Sequence, residues 1–116
     1  MPRISIKRIY EPPSPGDGRR ILVDRLWPRG VSKASAHLDA WLKEVAPSSE
    51  LRRWFDHRPE RWPAFRQRYI GELKSNPSLG TLREMAADAP VTLLYAARDQ
   101  AHNEAVVLAE LLSADD

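Results

Sequence analysis

Seven consecutive residues, VTLLYAA at 91–97, constrain this chain more than anything else in it. The run is apolar without polar alternation, too short for a typical helix and rich in β-formers, so it predicts a strand with no solvent-facing side. Such a strand belongs in the middle of a sheet covered on both faces, as in the parallel sheets of α/β domains. The rest of the chain must supply its neighbours and its cover.

Two further strands are predicted upstream. Residues 3–10, RISIKRIY, alternate Ile4 and Ile6 with Ser5 and Lys7, the period of two that a strand imposes. Residues 20–26, RILVDRL, begin with the aliphatic run Ile21, Leu22, Val23. Between them, EPPSPGDGRR carries three Pro and two Gly and reads as a loop. That connection allows either an antiparallel return or a short parallel crossover, which leaves the sheet order open.

Helical spacing follows. After Ser35 as an N-cap, Leu38, Trp41, Leu42 and Val45 fall at i, i+3, i+4 and i+7 and predict a helix stopped by Pro47. Leu51, Trp54 and Phe55 repeat the spacing in a shorter helix from near Ser48. Trp62, Phe65, Tyr69 and Leu73 form the stripe of the next, with Pro59 at its tolerant first turn. Asn76-Pro77 reads as a cap and first turn of a helix to about Ala87, with Leu79, Leu82 and Ala86 inward. Residues 103–113 give the last helix, with Val107, Leu108, Leu111 and Leu112 toward the core. On these spacings Trp41, Trp54, Trp62, Phe65 and Tyr69 are expected in the core. The order β, β, α, α, α, α, β, α predicts one domain over 1–116. It is an α/β fold with a small, mainly parallel sheet of about three strands covered by helices, a Rossmann-like layered domain.

Composition narrows the function. At 42% hydrophobic and 29% charged the chain has the balance of a globular domain. It contains no apolar run of membrane-spanning length and no signal-like N-terminus, so a cytoplasmic protein without membrane contact is expected. The absence of Cys excludes disulfides, thiolate metal sites and cysteine nucleophiles. Charge is unevenly distributed: 16 basic and 9 acidic residues occupy 1–74, against 2 basic and 7 acidic in 75–116. This fits either an anion-binding face or segments that neutralise each other across the fold.

In open α/β sheets ligands collect outside the carboxyl ends of the strands. There the second strand delivers Asp24, Arg25, Trp27 and Arg29, with Lys33 shortly after, and the strand at 91–97 delivers Tyr95, Arg98, Asp99 and Asn103. Arg25 and Arg29 offer planar charged donors for phosphate or carboxylate, Lys33 a point charge, and Trp27 and Tyr95 surfaces to frame a ring. Asp99 is the candidate acid or base, and Asn103 the candidate recognition group. Each also has a structural reading: Arg25 pairing with Asp24 or Asp99, Trp27 filling core, Asp99 and Asn103 capping the last helix. His57 is a lesser catalytic candidate. His37 and His102 lack a second ligand at zinc spacing, so no metal site is expected, and no cofactor is indicated by the glycine fingerprints of phosphate or dinucleotide loops.

The segments VDRLWPRG (23–30), KEVAPSSELRRWFDH (43–57), FRQRYIGEL (65–73) and VTLLYAARDQAHNEAVVL (91–108) together resemble the YeaO-like branch of a bacterial family built on domain of unknown function 488. The resemblance covers nearly the whole chain and implies a compact α/β fold, with no established activity to transfer. Longer relatives place an Asp-containing motif at the end of the strand matching 21–26, and Asp24 and Arg25 agree with that placement. The leading expectation is a site for an anionic, nucleotide-like small molecule, with or without catalysis. The alternatives are a nucleic-acid-binding or regulatory module using the six arginines of 52–68, or a small protein-interaction domain.

Overall fold

A computed structural model of the protein describes residues 3–114; residues 1, 2, 115 and 116, included in the predicted domain, lie outside the described residues. Four strands build one sheet: β1 (Ile4–Arg8), β2 (Arg19–Leu22), β3 (Ala40–Trp41) and β4 (Val91–Tyr95). Their order is β1-β4-β2-β3 and every pairing is parallel. The apolar run at 91–97 thus supplies an interior strand, with Ile4 opposite Val91 on one side and Arg19 opposite Val91 on the other. All five residues of β4 are buried. The connection between β1 and β2 is a parallel crossover, with β4 inserted between them.

Among the described residues five α-helices complete the fold: α1 (Lys33–Ala36), α2 (Ser49–Phe55), α3 (Trp62–Leu73), α4 (Pro77–Asp88) and α5 (Glu104–Ala114). Capping explains where several of them start. The Ser48 hydroxyl accepts from the Leu51 amide at 3.2 Å, and the Asn76 carboxamide oxygen accepts from the Ser78 amide at 2.9 Å, each satisfying an amide that has no partner within its helix. The apolar sides of α2 to α5 meet Ile21, Val23, Val91, Leu93 and Tyr95 in one main core. The opposite sheet face is closed more thinly, by Ile9, Trp27, Val31, Leu38 and α1's Ala36 over Leu22 and Leu94.

That thinner face is held by a buried charge cluster. The Asp17 carboxylate receives Arg20 and Lys7 side chains, together with the amide and hydroxyl of Ser14. The Arg20 guanidinium also donates twice to the Ala36 carbonyl, at 3.1 and 2.9 Å, tying α1 to β2. Burial by itself pushes the Asp17 carboxyl up, but the bonds from Ser14, Lys7 and Arg20 outweigh it and hold the group well below the usual carboxylate range. At Gly18, with φ +65°, an added Cβ would stand 2.2 Å from the Pro90 carbonyl oxygen, so only glycine lets the chain enter β2 beside β4.

The predicted helix over 35–45 does not form. Its residues divide into α1, which starts earlier with Ser32 rather than Ser35 as the cap, a left-handed turn at His37, the short edge strand β3 and a 3-10 turn at Lys43–Val45. The helical stripe loses to tertiary pairing because the outer edge of β2 would otherwise leave its peptide groups without partners. Asp39 exchanges bonds with Arg20 through both its carboxylate and its amide, each at 2.8 Å, and the Leu42 amide donates to the Leu22 carbonyl at 2.9 Å. Trp41 consequently leaves the expected core and is 36% exposed, whereas Phe65 and Tyr69 are buried as predicted. Trp54 and Trp62 are half-buried at the border of the core.

Candidate functional site

Because all four strands run the same way, their carboxyl ends open on one edge, and a cleft of about 1060 Å³ lies there. Five arginines line it: Arg25 and Arg29 from the loop after β2, Arg52 and Arg53 from α2, and Arg98 from the loop after β4. None of the five forms a salt bridge among the described residues. Arg25 is partly committed, donating to the Ala46 and Pro47 carbonyls at the long distances of 3.3 and 3.4 Å.

The floor carries acids. Asp24 turns its Oδ2 to the Ala96 amide at 2.9 Å, joining the ends of β2 and β4. Glu104, the first residue of α5, lines the cleft beside Asp24. Burial pushes the Glu104 carboxyl well above the usual carboxylate range; the neighbouring Asp24 pushes the same way, against the Glu104 amide and Arg52. Two carboxyl groups from separate elements, the end of β2 and the start of α5, thus line the same cleft as the five arginines.

Asp99 and His102 form a second pair on the cleft wall, with His102 Nδ1 2.8 Å from Asp99 Oδ2. His102 first, then the Ala101 amide, hold the Asp99 carboxyl below its ordinary value, so Asp99 stays charged. The amides of Ala101 and His102 donate to its Oδ1. His102 Nε2 is then the ring nitrogen not engaged by Asp99. His57 also lines the cleft; it and Asp56 adopt left-handed backbone angles, φ 53° and 50°, where α2 ends. Among the described residues no three of His, Cys, Asp and Glu are grouped to hold a metal ion.

Of the residues singled out from sequence, the cleft brings together Arg25, Trp27, Arg29, Asp99 and Asn103. Asn103 is buried and caps α5, its Oδ1 accepting from the Val106 amide at 3.1 Å while its Nδ2 donates to the Asp99 carbonyl. The Trp27 indole donates to the Val31 carbonyl at 2.7 Å and meets Trp41 edge-on, so one end of this ring is structural. Tyr95 is 2% exposed and lies outside the cleft lining, where burial raises its hydroxyl pKa. Lys33 sits exposed on α1, also outside the lining. Sequence reasoning missed Glu104 and His102 as site residues, and placed Arg52 and Arg53 in a nucleic-acid-binding segment instead of this cleft. Its available signal for the two arginines was their helical spacing next to Phe55; Glu104 gave none, since its significance depends on Asp24 reaching it from another strand end.

The fold and cleft define a parallel α/β domain with a mixed-charge site at the carboxyl edge of its sheet. The chain belongs to the family described as the inactive DUF488-N3 subclade, whose sequence model matches residues 3–115. It is 46% identical over 110 residues to the uncharacterized protein YeaO of Escherichia coli, covering 94% of this chain and 96% of that one. It is 44% identical over 111 residues to the uncharacterized protein Rv3073c of Mycobacterium tuberculosis, covering 96% and 94%. No solved structure matches the chain. Among the described residues no helix is long and apolar enough to cross a membrane.

Proposed function

We propose that the protein binds a small anionic molecule in the cleft, as a recognition module and not as a turnover enzyme. The observation that carries this reading is the convergence of five arginines, without salt-bridge partners among the described residues, on one cleft at the carboxyl ends of four parallel strands. Guanidinium groups hold phosphate or carboxylate through paired, charge-assisted bonds. The description of the subclade as inactive favours binding over turnover. Asp99, held charged by His102, serves in this reading to orient that imidazole.

The nucleic-acid reading is weaker, because most of the basic segment is engaged elsewhere. Arg66 binds Glu110, Arg58 pairs with Asp56, Arg61 donates to the Trp54 carbonyl, and Arg61 and Arg68 both lie over the Trp54 ring. Titration calorimetry with inorganic phosphate and pyrophosphate tests the preferred reading. Arg52→Gln and Arg53→Gln should keep the wild-type melting temperature and weaken binding by about 1.5–3 kcal/mol per lost charged hydrogen bond. Binding that is absent at low salt, or indifferent to both substitutions, refutes it.

A further inference from the structure

The arginines do not explain the floor. A simple anion leaves the carboxyl groups of Asp24 and Glu104 in the same cleft unused, and a simple cation is opposed by the arginines. Resting on the anion reading above, we propose that the ligand is a phosphate monoester of a polyhydroxylated molecule, a sugar phosphate or a ribonucleoside monophosphate. Its vicinal hydroxyls meet Asp24 and Glu104 while Arg52 and Arg53 take the phosphate.

The geometry fits this division of roles. Arg52 and Arg53 reach the cleft from α2, while Asp24 and Glu104 reach it from the end of β2 and the start of α5. Asp24 uses Oδ2 for the Ala96 amide, which leaves Oδ1 to accept from a ligand, and Glu104 lines the cleft beside it. Carboxyl oxygens accept from uncharged hydroxyls, whereas an ammonium group would bring a positive charge into a cleft that Arg52 also lines. The volume of about 1060 Å³ is at the upper end of ordinary small-molecule sites and admits a nucleoside monophosphate.

Calorimetry on the whole chain compares inorganic phosphate, ribose-5-phosphate, AMP, and the 2-deoxy counterparts of the last two. The ribose compounds should bind roughly tenfold or more tighter than their deoxy forms, the loss expected when a charged hydrogen bond disappears. AMP tighter than ribose-5-phosphate identifies a nucleotide, and equal affinity a sugar phosphate; either supports the inference. Glu104→Ala should bring the ribo-to-deoxy ratio close to one while phosphate affinity persists. Glu104→Gln, which keeps the size of the side chain and an oxygen that accepts from hydroxyls, should retain much of the ratio and guards against a misfolded alanine variant. Equal affinity for ribose and deoxyribose forms, with binding still dependent on Arg52 and Arg53, overturns the hydroxyl inference and leaves the anion reading standing. No binding of any phosphate compound overturns both.

Discussion

Replacing Asp17 by Ala is the sharpest test of what holds the thin face of the sheet together. Asp17 is 7% exposed and Arg20 5%, so the substitution leaves a buried guanidinium with only the Ala36 carbonyl for company. It also removes the Lys7 bonds and both bonds from Ser14. Breaking a buried pair by deleting one partner costs about 3–5 kcal/mol, a large part of the roughly 5–15 kcal/mol that holds a domain folded. At about 4 °C per kcal/mol for a chain of this size, the melting temperature should fall by roughly 12–20 °C, measured by calorimetry or circular dichroism at neutral pH. The pH dependence has a fixed sign. The folded-state pKa of Asp17 is lowered, so its contribution is complete above the ordinary carboxylate pKa near 4 and is lost as pH falls through the lower folded value. The gap between wild type and Asp17→Ala should therefore be full at pH 7 and narrow in the acid range below about 4. A drop of less than about 3 °C at neutral pH, or a gap that widens on acidification, would refute the argument.

Two other substitutions separate packing from backbone effects. Gly18→Ala should destabilise severely, because the new methyl meets backbone of Pro90, whereas Gly30→Ala, with φ +74° but open space, should cost only about 1–2 kcal/mol; comparable denaturant midpoints for the two would contradict this. Phe65→Ala should cost about 3–5 kcal/mol, and Trp41→Ala distinctly less despite the larger ring, since Trp41 lies at the surface; equal losses in urea melts would restore the discarded helical stripe.

Local signals in the chain were strong where tertiary context agreed with them. β4 was legible because five buried residues in a row admit few other structures, and α2 and α4 because Ser48 and Asn76 are caps whose partners lie within three residues. The segment around Trp41 misled because its helical spacing is real, while the force that overrides it, the open edge of β2, comes from residues some twenty positions earlier. The same distance limit applies to the site. Arg25, Arg29 and Asp99 could be placed on one edge by strand direction alone, and all three line the cleft. Glu104 could not, because a glutamate at a helix start is ordinary until Asp24 is found beside it. Tyr95 and Lys33 show the converse limit: nearness in sequence to a strand end or loop does not say which way a side chain turns.

The insertion of β4 between β1 and β2 also sets a schedule for biogenesis. Ile4 pairs with Val91, so β1 has no lateral partner until most of the chain has left the ribosome, and β2 has only the two-residue β3. With the central strand arriving last, folding must close long loops before any sheet energy is gained, which makes it slow for a domain of this size. Nascent chains stalled before residue 91 should hold β1 unpaired and β2 paired only with the two residues of β3, a natural target for chaperones until synthesis resumes.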